Sequence, residues 1–116
     1  MPTILMTLPI PPEKLSAWRD AVADMAGPRR AEFDAARRRQ GITRQGVWLS
    51  QGPDGPREVL LMETEDPGRA FELMATSQEP FDIWLREMLL DVYKLDLTQP
   101  AGPLPEQLLD WSAGES

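Results

Sequence analysis

The sequence predicts one α+β domain whose strands and helices follow the order βαββαβ. Three observations support this fold class. The chain has 116 residues, which is the usual size of a single domain. Apolar runs typical of strands alternate with longer segments whose apolar residues recur at helical spacing. The stretch Gly-Pro-Asp-Gly-Pro at residues 52–56 separates two of the strand-like runs and indicates a hairpin turn.

The first half of the chain is predicted to form a strand and then an interrupted helical region. Residues 3–10 alternate apolar side chains between two faces and read as a strand. Pro11-Pro12 ends this strand and opens a helix. Gly27-Pro28 predicts a break, after which a second helix runs from about Arg29 to Gln40. Gly41 is placed to end it.

The second half is predicted to hold two further strands, two helical segments and a final short strand. Apolar runs at 47–49 and 59–62 lie on either side of the hairpin turn. Asp66-Pro67 has the pattern of an N-cap followed by proline at the first helical position. A longer helix is predicted to start at Pro80. Residues 94–97 are predicted to form a fourth strand, which completes a ferredoxin-like sandwich with both helical regions on one face of an antiparallel sheet.

The prolines divide the chain into a domain, residues 1–98, and a C-terminal arm, residues 99–116. Prolines at 100, 103 and 105 favour an extended conformation for this arm. Three large apolar residues give it something to bury: Leu108, Leu109 and Trp111. We expect the arm to pack on its own domain or on a partner subunit.

The charge of the chain disfavours several kinds of partner. Nineteen acidic residues against twelve basic ones give a formal net charge of −7, whereas a nucleic-acid surface needs a basic footprint. No apolar run approaches the roughly 18 residues that span a bilayer. The start of the chain, Met1-Pro2-Thr3, lacks the charged region of a signal peptide, so a cytoplasmic location is expected.

The absence of two residue types restricts the chemistry. The chain has no cysteine and no histidine, which excludes thiol nucleophiles, imidazole bases and ordinary zinc sites. We therefore expect no metal and no cofactor. Catalysis, if the protein has any, must use carboxylates, arginine, lysine, hydroxyl groups or the single tyrosine.

The strands predict a homodimer. The first and third strands are apolar on both faces, and a strand of this kind is buried on both sides. In a βαββαβ unit the helices cover only one face of the sheet. The simplest cover for the other face is the same sheet of a second copy, since a soluble protein avoids a large exposed apolar patch.

The element order, the chain length and the two-sided sheet resemble the dimeric α+β barrel superfamily, and within it small bacterial proteins of uncharacterised function. The matching stretches are residues 29–33 (RRAEF), 37–42 (RRRQGI), 80–84 (PFDIW), 102–106 (GPLPE) and 110–111 (DW). Characterised members of this superfamily include cofactor-free monooxygenases, isomerases, cyclases and haem enzymes, and the missing histidines disfavour the branches that depend on histidine. The resemblance therefore implies a cofactor-independent oxygenase, isomerase or cyclase. It identifies no particular reaction.

The second predicted helix carries the strongest candidates for a binding or catalytic site. Arg37 and Phe33 lie on one face of it, where Arg37 can bind a carboxylate or phosphate and Phe33 can form an apolar wall. The alternative is a solvated basic helix, in which Asp34 pairs with Arg30 and Arg38, and Glu32 pairs with Arg29. Glu32 is also a candidate general base.

Other candidate residues lie on the strands and on the last helix. Trp48 shares a strand face with two small residues and can line a cavity; the alternative is a core position. Tyr93 can donate a hydrogen bond to a ligand carbonyl; the alternative is that its side chain covers the edge of the core near a helix end. Glu63 is expected either to be buried with an arginine partner or to lie in water at a strand end. Asp82 is interpreted as a helix-start anion, with a site acid as the alternative.

Three functions remain open from the sequence. The first is a cofactor-independent enzyme acting on a small organic molecule held between the sheet and its helices. The second is a protein that binds a small anion in the same cleft. The third is a structural or interaction domain with a filled core. A cavity lined by the residues named above would favour the first two, and a filled core would favour the third.

Overall fold

The computed structural model describes residues 3–99 and 104–114. Within them the chain forms an α+β fold, as predicted, with an antiparallel sheet and four α-helices. The strands are β1 (Thr3–Pro9), β2 (Ile42–Gly52) and β3 (Gly55–Thr64), and the helices are α1 (Leu15–Ala26), α2 (Arg30–Arg39), α3 (Pro67–Thr76) and α4 (Pro80–Tyr93). A single 3-10 turn, Pro12–Lys14, precedes α1.

The sheet has the order β1-β3-β2, with β3 in the centre and both pairings antiparallel. The predicted hairpin is confirmed: Gly52 pairs with Gly55, so the loop between β2 and β3 is only Pro53 and Asp54. Gly55 has a φ of 100°, a conformation that side chains with a Cβ rarely adopt, which explains why glycine follows the turn.

Local signals set the ends of the helices. The Gly27-Pro28 break separates α1 from α2, as predicted. Gly41, with a φ of 73°, follows the end of α2 in the left-handed conformation that favours glycine. Asp66 caps α3 by accepting a hydrogen bond from the backbone amide of Arg69 at 3.1 Å.

The predicted fourth strand, residues 94–97, is wrong. Lys94 ends α4 in the left-handed conformation with a φ of 58°, and the amide of Leu95 returns to the carbonyl of Leu89 at 3.3 Å. The carboxylate of Asp96 then accepts from both the amide and the hydroxyl of Thr98, at 2.9 and 2.6 Å. These local hydrogen bonds take up the backbone that a strand would need, so a helix cap and an Asx turn replace it.

The core lies between the sheet and the helices, against what we call the inner face of the sheet. Three clusters of buried side chains fill it. One joins β1, β2 and β3 to α3, a second joins α1 to α4, and a third joins α2 to α4. Their most buried members are Met62, Ala70, Ile10, Val92, Ala36 and Phe81.

The opposite side of the sheet, which we call the outer face, is left uncovered. It carries Leu5, Gly46, Trp48, Val59 and Leu61 in two adjacent rows of the strand register. Leu5 is 49 % exposed and Trp48 is 52 % exposed. Because the single chain covers only the inner face, the outer face is where the sequence predicts a second subunit.

Residues 104–114 of the C-terminal arm form neither helix nor strand. Their large apolar side chains are exposed rather than packed on the domain. Among the described residues, no helix has the length and apolar character that crossing a membrane requires.

Candidate functional site

Arg37, in the last turn of α2, is buried. Its side chain is only 8 % exposed, and its Nε donates to Oε1 of Gln45 at 2.6 Å. Its Nη1 donates to Oε1 of Gln40, also at 2.6 Å. Burial lowers the pKa of Arg37 to about 10, and the negative charge of Asp82 partly opposes that shift. Arg37 is therefore part of the interior and not of a solvated helix surface.

Two other arginines of this region, Arg29 and Arg38, follow the alternative interpretation of a solvated helix; among the described residues Asp34 pairs with Arg38 and not with Arg30. Arg38 pairs with Asp34 at 3.0 Å, and Arg29 pairs with Glu32 at 3.3 Å. Both are exposed pairs between residues one helical turn apart, of the kind that contributes little to stability. One helix thus combines a buried arginine with a charged surface.

A groove of about 560 Å³ lies between α2 and the first half of β2. Phe33 forms part of its wall, and the guanidinium carbon of Arg37 lies 4.9 Å from the centre of the Phe33 ring. The charged residues that line it are four arginines and one aspartate: Arg30, Arg37, Arg38, Arg44 and Asp34. A protein with a net charge of −7 therefore presents a cationic groove at this position.

A second, smaller space of about 80 Å³ lies behind the groove, between the inner face of the sheet and the helices. Arg37 and Gln45 line both spaces, so their hydrogen bond forms part of the wall that separates them. The lining of this inner cavity is mostly apolar and includes four of the six methionines of the chain: Met6, Met25, Met74 and Met88. Methionine side chains adapt readily to a change in packing.

Glu58 lines the same inner cavity from β3. It lies opposite Leu49 on β2, four residues beyond Gln45, so roughly 13 Å of strand separates the two positions. Its Oε1 accepts a hydrogen bond from Nε1 of Trp18 at 2.6 Å and another from the hydroxyl of Tyr93. The cavity therefore has a cationic end at Arg37 and an anionic end at Glu58.

The environment of Tyr93 raises the pKa of its phenol far above the ordinary value. Burial is the main cause, and the hydrogen bond to the Glu58 carboxylate adds to it, because ionisation would place two negative charges together. Tyr93 is the only tyrosine of the chain, so its ionisation can be followed by ultraviolet absorbance without interference from other tyrosines.

We expect that phenol to remain protonated in the folded protein when the pH rises above about 10, the ordinary value for tyrosine. The unfolded chain loses that proton near pH 10, so Tyr93 contributes stability below this pH that is lost as the pH rises further. Tyrosinate absorbance should appear only together with alkaline unfolding, followed by circular dichroism. Reversible ionisation near pH 10 in the folded state would contradict this arrangement.

Asp82 anchors a second buried polar network. It lies in the first turn of α4, as predicted for a helix-start anion, but its side chain is almost completely buried. Its Oδ2 accepts from Nη2 of Arg39 at 2.9 Å, and its Oδ1 accepts from Nε2 of Gln40 at 3.3 Å. Since Gln40 also accepts from Arg37, this network connects the end of α2 to the start of α4 and fixes Arg37 at the groove.

The structure brings together only some of the residues predicted from the sequence. Arg37 and Phe33 share the groove. Tyr93 donates a hydrogen bond to Glu58, which lines the far end of the inner cavity, but Tyr93 itself is not part of the lining. Glu32 is exposed beside Arg29. Trp48 lies on the outer face, away from both spaces, with its indole ring across Gly46, where an added Cβ would come within 2.6 Å of the ring.

The sequence interpretation did not include Glu58 or Gln45. A signal for Glu58 is present in β3, because residues 58, 60 and 62 alternate onto the same face and two of them are buried and apolar. Glu63 lies on the outer face next to the end of β3, where it is partly exposed and approaches the exposed Arg44 at 4.0 Å, so an arginine is present but the pair is not buried.

Comparisons of the chain with protein-family models, with curated proteins and with solved structures gave no match.

Proposed function

We propose that the protein is a homodimer in which each subunit binds a small organic acid at the groove between α2 and β2. The observation that carries this proposal is the position of the Arg37–Gln45 pair, which lines both the cationic groove and the apolar inner cavity. A ligand with a carboxylate and an apolar body would bind with its carboxylate at Arg37 and its apolar body directed towards the inner cavity.

The groove supplies the recognition of the anion. The planar guanidinium of Arg37 suits a carboxylate, and its Nη2 has no hydrogen-bond partner within residues 3–99 and 104–114. Two exposed arginines, Arg38 and Arg44, add positive potential at the entrance. Phe33 offers an apolar surface beside the charge.

The inner cavity supplies the apolar part of the site. At about 80 Å³ it is well below the volume of roughly 300–1,000 Å³ that holds a typical ligand, whereas the groove, at about 560 Å³, lies within that range. We propose that the ligand occupies the groove and extends inwards as the Arg37–Gln45 hydrogen bond opens. Rearrangement of the methionine side chains in the lining would make room for it.

The outer face of the sheet supports the dimer. Leu5 and Trp48 of its apolar rows are exposed in the single chain, and a twofold contact between two such faces would cover both faces at once. The result would be a dimeric α+β barrel built on a ferredoxin-like arrangement that lacks the fourth strand. Trp48 then belongs to the subunit interface, and Glu32 remains a surface partner of Arg29.

Binding can be tested by a thermal-shift screen of aliphatic and aromatic carboxylic acids, followed by calorimetry of the acids that stabilise the protein. Arg37→Met should weaken binding by about 10- to 100-fold, because a charge-assisted hydrogen bond of about 1.5–3 kcal/mol is lost. Arg37→Lys, which keeps the charge but not the planar fork, should fall between this variant and the unmodified protein.

Arg69→Gln is the matched control, since Arg69 is exposed on α3 and outside the groove. Circular dichroism would establish that each variant is folded before its affinity is compared. Acids that bind equally well to the protein and to Arg37→Met would contradict the proposed site, as would a library from which no member binds.

A second candidate function is catalysis in the inner cavity, and the placement of Glu58 favours it. Its carboxylate is held by two donors at the end of the cavity opposite Arg37, where an acid bound at Arg37 would direct its apolar end. A carboxylate in this position suits a general base in a cofactor-independent isomerisation. Turnover of a bound acid that disappears in Glu58→Gln, while binding persists, would separate the enzyme from a binding protein.

A further inference from the structure

The C-terminal arm carries apolar side chains that the subunit itself does not cover. Leu108 is 85 % exposed and Trp111 is 76 % exposed, and Leu104 and Leu109 are exposed as well. Burying a side chain of this size typically contributes about 1.5–3 kcal/mol, so their exposure together on one short segment indicates a partner surface. The arm has no helix or strand of its own that would bury them.

The outer face of the sheet has a pattern of charge and apolar surface that matches the arm. Its two apolar rows lie between a row that contains Arg44 and a row that contains Arg57. In the arm, Leu108 and Leu109 lie between two acids, Glu106 and Asp110. The Arg44 row also contains Glu63, which lies opposite Arg44 and approaches it at 4.0 Å, whereas the row of Arg57 holds no acid. An acid of the arm would therefore be complementary to the Arg57 edge of the outer face.

The area of the outer face also calls for an additional contact. A stable interface buries about 800 Å² on each partner, and even a fully exposed aromatic side chain supplies only about 150–250 Å². Leu5 and Trp48, which are only about half exposed, fall short of that area, and Val59 and Leu61 are partly buried already. The side chains of an arm from a second copy would add the missing apolar area.

We propose that the C-terminal arm of each subunit docks on the outer face of its partner's sheet, at the rim of the dimer contact. In the structure the arm leaves its own outer face uncovered, and both surfaces remain exposed, which favours docking between subunits over docking within one. This inference rests on the homodimer proposed above. It adds that the arm is part of the interface, with an acid of the arm next to Arg57.

The first test changes the arm in the full chain. The double variant Leu108→Ser with Trp111→Ser should weaken dimerisation by about 100-fold in sedimentation equilibrium, since two large apolar contacts are lost from each arm. Both side chains are exposed in the subunit, so the fold should be unaffected. Leu90→Ser is the matched control, because Leu90 is an exposed leucine of α4 outside the arm and the outer face.

The second test establishes which subunit receives the arm. A spin label at Ala113→Cys is unique, because the chain has no cysteine. In a mixed dimer with an isotopically labelled partner that carries no spin label, the label should broaden the methyl signals of Leu5, Val59 and Leu61 of that partner. Broadening confined to the spin-labelled chain would overturn the inference in favour of docking within one subunit.

The outcomes separate this inference from the proposed function. A dimer whose affinity is unchanged in the double arm variant would overturn the role of the arm and leave the sheet-to-sheet dimer standing. An unmodified protein that remains monomeric at high concentration would overturn both.

Discussion

Replacing Leu61 with glutamate is expected to prevent formation of the proposed dimer without unfolding the subunit. Leu61 lies in the middle of the outer face, between Leu5 on β1 and Gly46 on β2. A twofold contact at this face would bring two such carboxylates together in an apolar environment, which costs several kcal/mol. The molecular mass in sedimentation equilibrium should fall from 26.2 kDa, twice the 13.1 kDa of one chain, to 13.1 kDa.

The control for this variant is Leu90→Glu, which introduces the same charge at another exposed leucine. It should leave the mass at the dimer value. Circular dichroism of both variants should match that of the unmodified protein, because neither position belongs to the buried core. A Leu61→Glu protein that is folded and still dimeric would show that the outer face is not the interface.

Replacing Asp82 with alanine is expected to have the largest effect on stability. Asp82 is 2 % exposed and accepts hydrogen bonds from Arg39 and Gln40, and Gln40 in turn accepts from Arg37. Removal of the carboxylate leaves the buried charge of Arg37 without its nearest counter-charge. The free energy of unfolding should decrease by about 3 kcal/mol, measured by urea denaturation.

The matched control for Asp82 is Asp34→Ala, which removes the acid of an exposed pair with Arg38. An exposed pair of this kind contributes about 0.2–1 kcal/mol, so the unfolding midpoint should hardly change. An Asp82→Ala protein with the stability of Asp34→Ala would mean that the network does not hold α2 against α4. In that case Arg37 would have no fixed position at the groove.

The elements of the fold were predictable where a local signal sets them. The hairpin between β2 and β3 and the break at Gly27-Pro28 depend on residues at the turn itself. The capping of α3 by Asp66 is equally local. The prediction of a fourth strand was wrong for a related reason. It depended on a short apolar pattern, whereas Asp96 forms local hydrogen bonds with Thr98 that produce a turn instead.

The candidate site was less predictable, because its contacts join residues that are far apart in the sequence. Asp82 and Arg39 are 43 residues apart, and Glu58 and Trp18 are 40 apart. Sequence spacing correctly placed Arg37 and Phe33 on one face of α2. Which of the arginines is buried depends on Gln40, Gln45 and Asp82, and no local pattern carries that information.

The position of Trp48 shows a similar limit to what the alternation of residues along a strand can predict. The pattern placed it on one face of β2 together with Gly46, as observed, but it did not indicate which face turns towards the helices. The structure places it on the outer face, and its indole ring packs against Gly46. Trp48 is therefore not a wall of either cavity, and it belongs to the surface proposed for the subunit contact.

Distances between spin labels on two copies of the chain would show whether the outer face of the sheet lies against a second copy. Single labels at Ser50→Cys, on the rim of the outer face, and at Ser16→Cys, on α1, would be measured separately by electron-electron double resonance. If the two outer faces are in contact, the distance between the labels of the two subunits should be shorter at position 50 than at position 16. The opposite order, or no coupling at either position, would contradict this contact.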